Sequence, residues 1–167
     1  MKKKVTFVVP GKPFGKQRPR VIRRGRFTTT YTPKETVEYE NKVRNSFLTV
    51  EGDNKLYGPI ESIIIGTFPI SKSTTKKKQK EIENNEELCT KKPDCDNIGK
   101  SILDALNQIA YDDDSQIVAL HIFKRFGIIP RVDVELREIE QELICPVHFI
   151  DDRSISPVKF IQYNNFY

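Results

Sequence analysis

The sequence predicts an α+β fold: a single domain built on a small mixed β-sheet with two main helices packed against it. Three observations point there. Residues 60–68, 116–126 and 131–138 are rich in β-branched and aromatic residues and have the length of strands. Ile98, Ile102, Ala105, Leu106 and Ile109 recur at helical spacing and form one apolar stripe. The chain of 167 residues shows no internal repeat and is long enough for one real core. Two helices and about five or six strands use the periodic segments without leaving a long buried loop.

Taken in order, Lys4–Val9 is an apolar, β-branched run that reads as the first strand and stops at Pro10-Gly11, a turn signal. A basic segment follows. Lys12, Lys16, Arg18, Arg20, Arg23, Arg24 and Arg26 fall within it with no acid among them. Arg23-Arg-Gly-Arg26 reads as a hairpin tip, with Phe27–Thr32 returning as a strand. Thr32-Pro33 opens a helix over 34–49, with Thr32 as N-cap and Pro33 at the first helical position. Val37, Val43, Phe47 and Leu48 supply its uneven apolar face, and Gly52-Asp-Asn breaks it. Ile60–Phe68 is apolar almost throughout, which suits a central strand.

Composition changes sharply over Ser71–Lys92, where seven lysines and four glutamates surround almost no apolar residue. A short polar helix over 74–83 and a mobile loop both fit. Pro93 disfavours helix just before it, and Asp94 or Asp96 can cap the next one, which should end after Ile109. Gly99 inside its first turns costs about 1 kcal/mol relative to Ala, so a close approach of backbone or ligand is expected there. Asp112–Asp114 reads as a turn. Residues 116–126 and 131–138 then read as an antiparallel pair around Gly127. The domain is expected to span residues 1–150. Residues 151–167 form a polar tail that carries Phe160, Tyr163, Phe166 and Tyr167.

Charge and cysteines bound the function. A formal charge of +5 favours a polyanionic partner. The chain lacks an apolar run of membrane-spanning length and a signal-peptide core at its N-terminus. Cys89, Cys95 and Cys145 are odd in number and make no zinc-like spacing, so free thiols in a reducing cytoplasm are expected. His121 and His148 sit in apolar surroundings and read as packing or surface residues. No membrane partner and no small-molecule cofactor are expected.

The chemistry concentrates in Lys92–Gln116. Asp94 and Asp96 precede the helix, and Asp112–Asp114 follow it, in a protein of positive net charge. Two carboxylates about 4 Å apart repel by roughly 4 kcal/mol at an effective dielectric near 20. A fold that gathers several must protonate some or bind a cation, and hard divalent ions such as Mg²⁺ take such oxygen ligands. The alternatives are helix capping for Asp94 and Asp96 and a polar turn for Asp112–Asp114. An EF-hand is excluded, because Ile98 and Ala105 stand where that loop needs oxygen ligands. For the basic segment the choice is between a solvated loop and DNA contact. The absence of compensating acids favours DNA.

Lys92-Pro-Asp-x-Asp-Asn-Ile-x-Lys, then Asp104-Ala-Leu, then Tyr111-x-Asp-Asp-x-Gln116, resembles the signature of the RusA-type Holliday junction resolvases. That resemblance implies a small homodimeric, Mg²⁺-dependent endonuclease acting on a four-way DNA junction, of a kind common in phages and prophages. Mn²⁺ is a possible substitute for Mg²⁺. It implies that Asp94, Asp96 and Asp114 match three metal-binding catalytic aspartates and that Lys100 matches a catalytic lysine. Asp113 matches the first Asp of the Asp-Asp-x-Gln element and is a further candidate ligand. The Lys/Pro/Arg-rich segment is also similar to that of phage-type relatives. Other readings are a junction-binding accessory without cleavage, and a nuclease for flaps or single strands.

Overall fold

The computed structural model describes residues 3–139 apart from 26, 72 and 85. The tail at 151–167, the domain boundary at 150, Cys145, His148 and Arg26 lie outside the described residues, as does the side chain of Arg24. Strand β1 (Lys4–Pro10) leads to a hairpin of β2 (Arg20–Arg24) and β3 (Phe27–Tyr31). Helix α1 (Lys34–Glu51), strand β4 (Ile60–Pro69), helix α2 (Lys76–Glu83) and helix α3 (Cys95–Leu106) follow. A 3₁₀ turn (Asp114–Gln116) then introduces β5 (Ile117–Gly127) and β6 (Arg131–Glu138). None of these helices is long and apolar enough to cross a membrane.

The main sheet is mixed, as expected, with the order β1-β6-β4-β5. β4 runs parallel to β5 and antiparallel to β6. This corrects the expected pairing of β6 with β5. β4 buries most of both faces, so it needs a partner along each edge, and β5 and β6 take one edge each. Apolar rows cross the sheet on the helix side: Phe7 faces Val134, which faces Ile64, which faces Ile122.

α1 lies over β1 and α3 over β5. The buried stripe of α1 is Thr36, Tyr39, Val43 and Phe47, whereas Val37 is exposed. The helix phase is set by Tyr39, Val43 and Phe47, and Thr36 follows at that spacing while Val37 is rotated off it. Pro33, not Thr32, is the N-cap residue. In α3, Ile98, Ile102 and Leu106 are fully buried, each worth about 2 kcal/mol of apolar burial. Arg44 of α1 donates to the Ala105 carbonyl at 3.1 Å and locks the two helices together. α3 ends at Leu106, short of Ile109, because Gln108 turns into the left-handed region (φ 63°). What approaches Gly99 is a side chain of β5 and not the expected backbone or ligand: a Cβ there would lie 2.6 Å from Ile122 Cδ1. α2 is a third helix, so the polar segment before α3 resolves as helix, with Thr75 accepting from the Lys78 amide.

Candidate active site

The backbone ahead of α3 is tied to the ends of two strands. Lys124 of β5 donates to the carbonyls of Lys91 at 2.6 Å and Pro93 at 3.3 Å. Lys91 donates to the Pro69 carbonyl at the end of β4 and covers the Phe126 ring. These contacts deliver Asp94 to the start of the helix, where it is the N-cap residue. An N-cap aspartate ordinarily accepts a hydrogen bond from the first turn. Here its side chain makes none. Asp96, in the first turn, and Lys100, one turn on, are both exposed. Among the described residues Lys100 forms no ion pair, so the helix-face bridge to Asp96 or Asp104 that its spacing permits is not made.

The acids after α3 are treated differently. Asp112 pairs with Lys55 at 2.7 Å. Asp113 caps the 3₁₀ turn by accepting from the Ser115 amide at 2.8 Å, and hydrogen bonding from the Ser115 side chain, then from that amide, holds its carboxyl below the usual range. Gln116 closes the turn, accepting from the amides of Asp112 and Asp113 and donating to the Gly58 carbonyl at 3.0 Å. Asp114 is left exposed and its carboxylate has no hydrogen-bond or ion-pair partner among the described residues. Tyr111 joins the turn to the helix. Its ring is fully buried and its hydroxyl donates to the Leu103 carbonyl at 2.8 Å. Burial, and then the charges of Asp114 and Asp104, push the phenol well above its ordinary value. Both carboxylates therefore lie within electrostatic reach of one buried hydroxyl.

The basic segment is laid onto this region. Pro13 is buried against Gly66, Phe14 stacks on Tyr39 at 5.1 Å, and Ser101 donates to the Phe14 carbonyl at 2.7 Å. Gly15 passes so close to α3 that a Cβ would lie 2.6 Å from Pro93 Cβ. The Lys16 amide reaches the Asn97 carbonyl, and its ammonium sits between Asp104 and Glu40. Burial pulls the Lys16 ammonium down, but the hydrogen bonds to Asp104 and Glu40 outweigh it and hold its pKa above the ordinary value. Lys16 thus differs from Lys12, Arg18, Arg20 and Arg23, which are exposed and without an acidic partner among the described residues.

The six acids of the region fall into two sets. Asp104, Asp112 and Asp113 are satisfied by Lys16, Lys55 and the Ser115 amide. Asp94, Asp96 and Asp114 keep carboxylates without a partner among the described residues, and their hard oxygen donors suit a divalent cation such as Mg²⁺. The described residues contain no group of three or more acidic, His or Cys side chains closely arranged to hold a metal ion. Sequence reasoning missed the tethering by Lys124 and Lys91 and the pairing of Lys16 with Glu40, none of which leaves a local pattern. Tyr111 and Gln116 did carry a signal, since both belong to the motif that resembles a known family.

The chain matches the endodeoxyribonuclease RusA family over residues 10–137. It is also 32% identical over 137 residues to an uncharacterized protein, YqaN, of Bacillus subtilis strain 168. That match covers 81% of this chain and 96% of the relative.

Proposed function

The chain belongs to the RusA endodeoxyribonuclease family, and from that premise we propose that it resolves four-way DNA junctions by paired, symmetric, Mg²⁺-dependent nicks. What carries the reading is the division of the acids. Of the six acids of this region, Asp94, Asp96 and Asp114 have no protein partner among the described residues, while Asp104, Asp112 and Asp113 are neutralised or used as caps. Carboxylates left without a counter-charge in a basic protein suit a cation. Those three residues would hold Mg²⁺, with Mn²⁺ as a substitute. When bound, the ion supplies Lewis acidity at the phosphate and a more acidic water.

The chain's own groups do the rest. The Lys100 ammonium, committed to no carboxylate among the described residues, is available to the charge that builds on the scissile phosphate. Asp113 holds the turn that presents Asp114, and Lys16 neutralises Asp104 so that it does not add repulsion. Exposed Lys12, Arg18, Arg20 and Arg23, with Arg24 and Arg26, would contact the phosphate backbone.

Each chain carries one such constellation, and resolving a junction takes two nicks at symmetry-related positions. A two-fold homodimer meets that need. Free Cys89 and Cys95 fit a reducing cytoplasm, and a prophage setting is the one that the motif resemblance implies.

The test uses labelled four-way, flap and linear DNA with Mg²⁺ or EDTA. Symmetric nicks confined to the junction, lost in EDTA, are expected. Binding without cleavage would make the protein an accessory factor, and cutting of flaps would make it a different nuclease.

A further inference from the structure

The β2–β3 hairpin is a ribbon with almost nothing of its own to bury. All five residues of β3 are exposed, Phe27 at 80%. On β2, Val21 is 61% and Ile22 43% exposed. Among the described residues, 18–31 make no ion pair and no hydrogen bond outside the hairpin's own ladder. Two-stranded hairpins are marginal alone in water, and clustered exposed apolar side chains mark a surface that meets a partner. The register sorts the ribbon into faces. Arg20 stands opposite Tyr31 and Ile22 opposite Thr29, and alternation puts Phe27 on the same face as these four. That face combines two aromatic rings, an aliphatic side chain and a cation. The other face carries Val21 and Arg23 with Thr28 and Thr30.

Residues 12–31 contain seven cations and no acid, so the partner is polyanionic. The aromatic face adds what phosphates alone do not need. We propose that this ribbon is a wedge for unstacked bases at the branch point of DNA, with Phe27, next to the hairpin tip, as the stacking residue and Tyr31 behind it. Apolar side chains on an exposed element are inserted between base steps in this way, and a branch point offers bases whose stacking is already interrupted. The inference rests on the junction-binding reading above and assigns the residues that tell a branch from a plain duplex.

The chain has no tryptophan, so Phe27→Trp introduces a single reporter at the ribbon. The full chain carrying this change is titrated with four-way and with linear DNA in EDTA, and binding is followed independently by anisotropy of the labelled DNA. Tryptophan emission should fall by about half or more with the four-way DNA as a base stacks on it, and little with linear DNA. Phe27→Ala should keep its circular dichroism and lose about tenfold in preference for four-way over linear DNA. Saturated junction binding with unchanged tryptophan emission overturns the wedge and leaves the junction reading intact. A blue shift that grows with protein concentration in the absence of DNA puts a second copy on the ribbon and overturns the wedge too. Failure to bind any of the DNAs overturns both.

Discussion

On the outward face of the sheet nearly every charge has an opposite one beside it. Lys4 meets Glu135 at 2.9 Å, and Arg137 reaches both Glu135 and, at 3.5 Å, Glu61. Glu61 also meets His121 at 3.2 Å, while Arg125 and Arg131 share Asp133. At the start of α3, in the turn that follows it and along the ribbon, Asp94, Asp96, Lys100, Asp114, Arg18, Arg20 and Arg23 have no such partner among the described residues. Both regions are charge-rich, though most of the paired face is half-buried while the unpaired side chains are exposed. The difference teaches that composition alone does not mark a site. A surface whose charges are mutually satisfied has little left for a ligand, whereas one whose charges stay separated retains the full electrostatic field for a ligand to use.

That contrast can be broken most forcefully at the aspartates. Asp96→Asn should cut nicking by more than about a hundredfold, beyond the loss that even an outer partner of a metal ligand brings. Lys100→Ala should lower it by about a hundredfold, the scale of losing one group that stabilises transition-state charge. Neither change should lower the metal-free melting temperature, because neither side chain is paired among the described residues. A sharp fall in that temperature for Asp96→Asn, measured by calorimetry, would make the residue a structural cap.

A smaller effect is expected on the ribbon. Replacing Arg18, Arg20 and Arg23 together should flatten the dependence of junction binding on salt, by about one unit of slope for each phosphate that the protein no longer neutralises. An unchanged slope in a filter-binding series would send the DNA to another surface.

The smallest effect belongs to the paired face. Burial pushes the Glu135 carboxyl up, but Lys4 and Arg137 outweigh it and hold its pKa below the ordinary 4.5. The stability it contributes is therefore present above pH 4.5 and is lost as pH falls through the lower folded value. Glu135→Gln should cost about 1 kcal/mol or less at neutral pH and flatten the acid limb of a denaturation series, with nicking unaltered. Loss of nicking in that variant would erase the distinction between the two faces.

How far the sequence could be read follows the same physics. β4 and α3 were legible because their apolar patterns are local and strong; Gly99 signalled a close approach, but of the Ile122 side chain and not of backbone or ligand. The partners of β6 were not legible, since a strand's alternation says which face is buried and nothing about which neighbour lies beside it. The phase of α1 was misread at Val37 because Thr36 and Tyr39 do not look like core residues one at a time. At the site, residue types and spacing singled out the acidic stretch. They could not separate Asp113, which caps a turn, from Asp114, which does not, because that depends on where the Ser115 amide and the Gln116 side chain fall.

The strand order also sets a timetable for the ribosome. Lys4 pairs with Arg137 and Pro10 with Arg131, so the first strand made waits for the last described one. β4 likewise emerges before either of its neighbours. Until residue 138 is out, β1 has no ladder and β4 lacks the one on its β6 edge, and such unpaired strand edges are what aggregation and chaperones act on. The acids of 94–114 are synthesised well before the frame that spaces them. The sheet that carries these acids is therefore complete only once β6 has slotted between β1 and β4, a step that rests on long-range pairing.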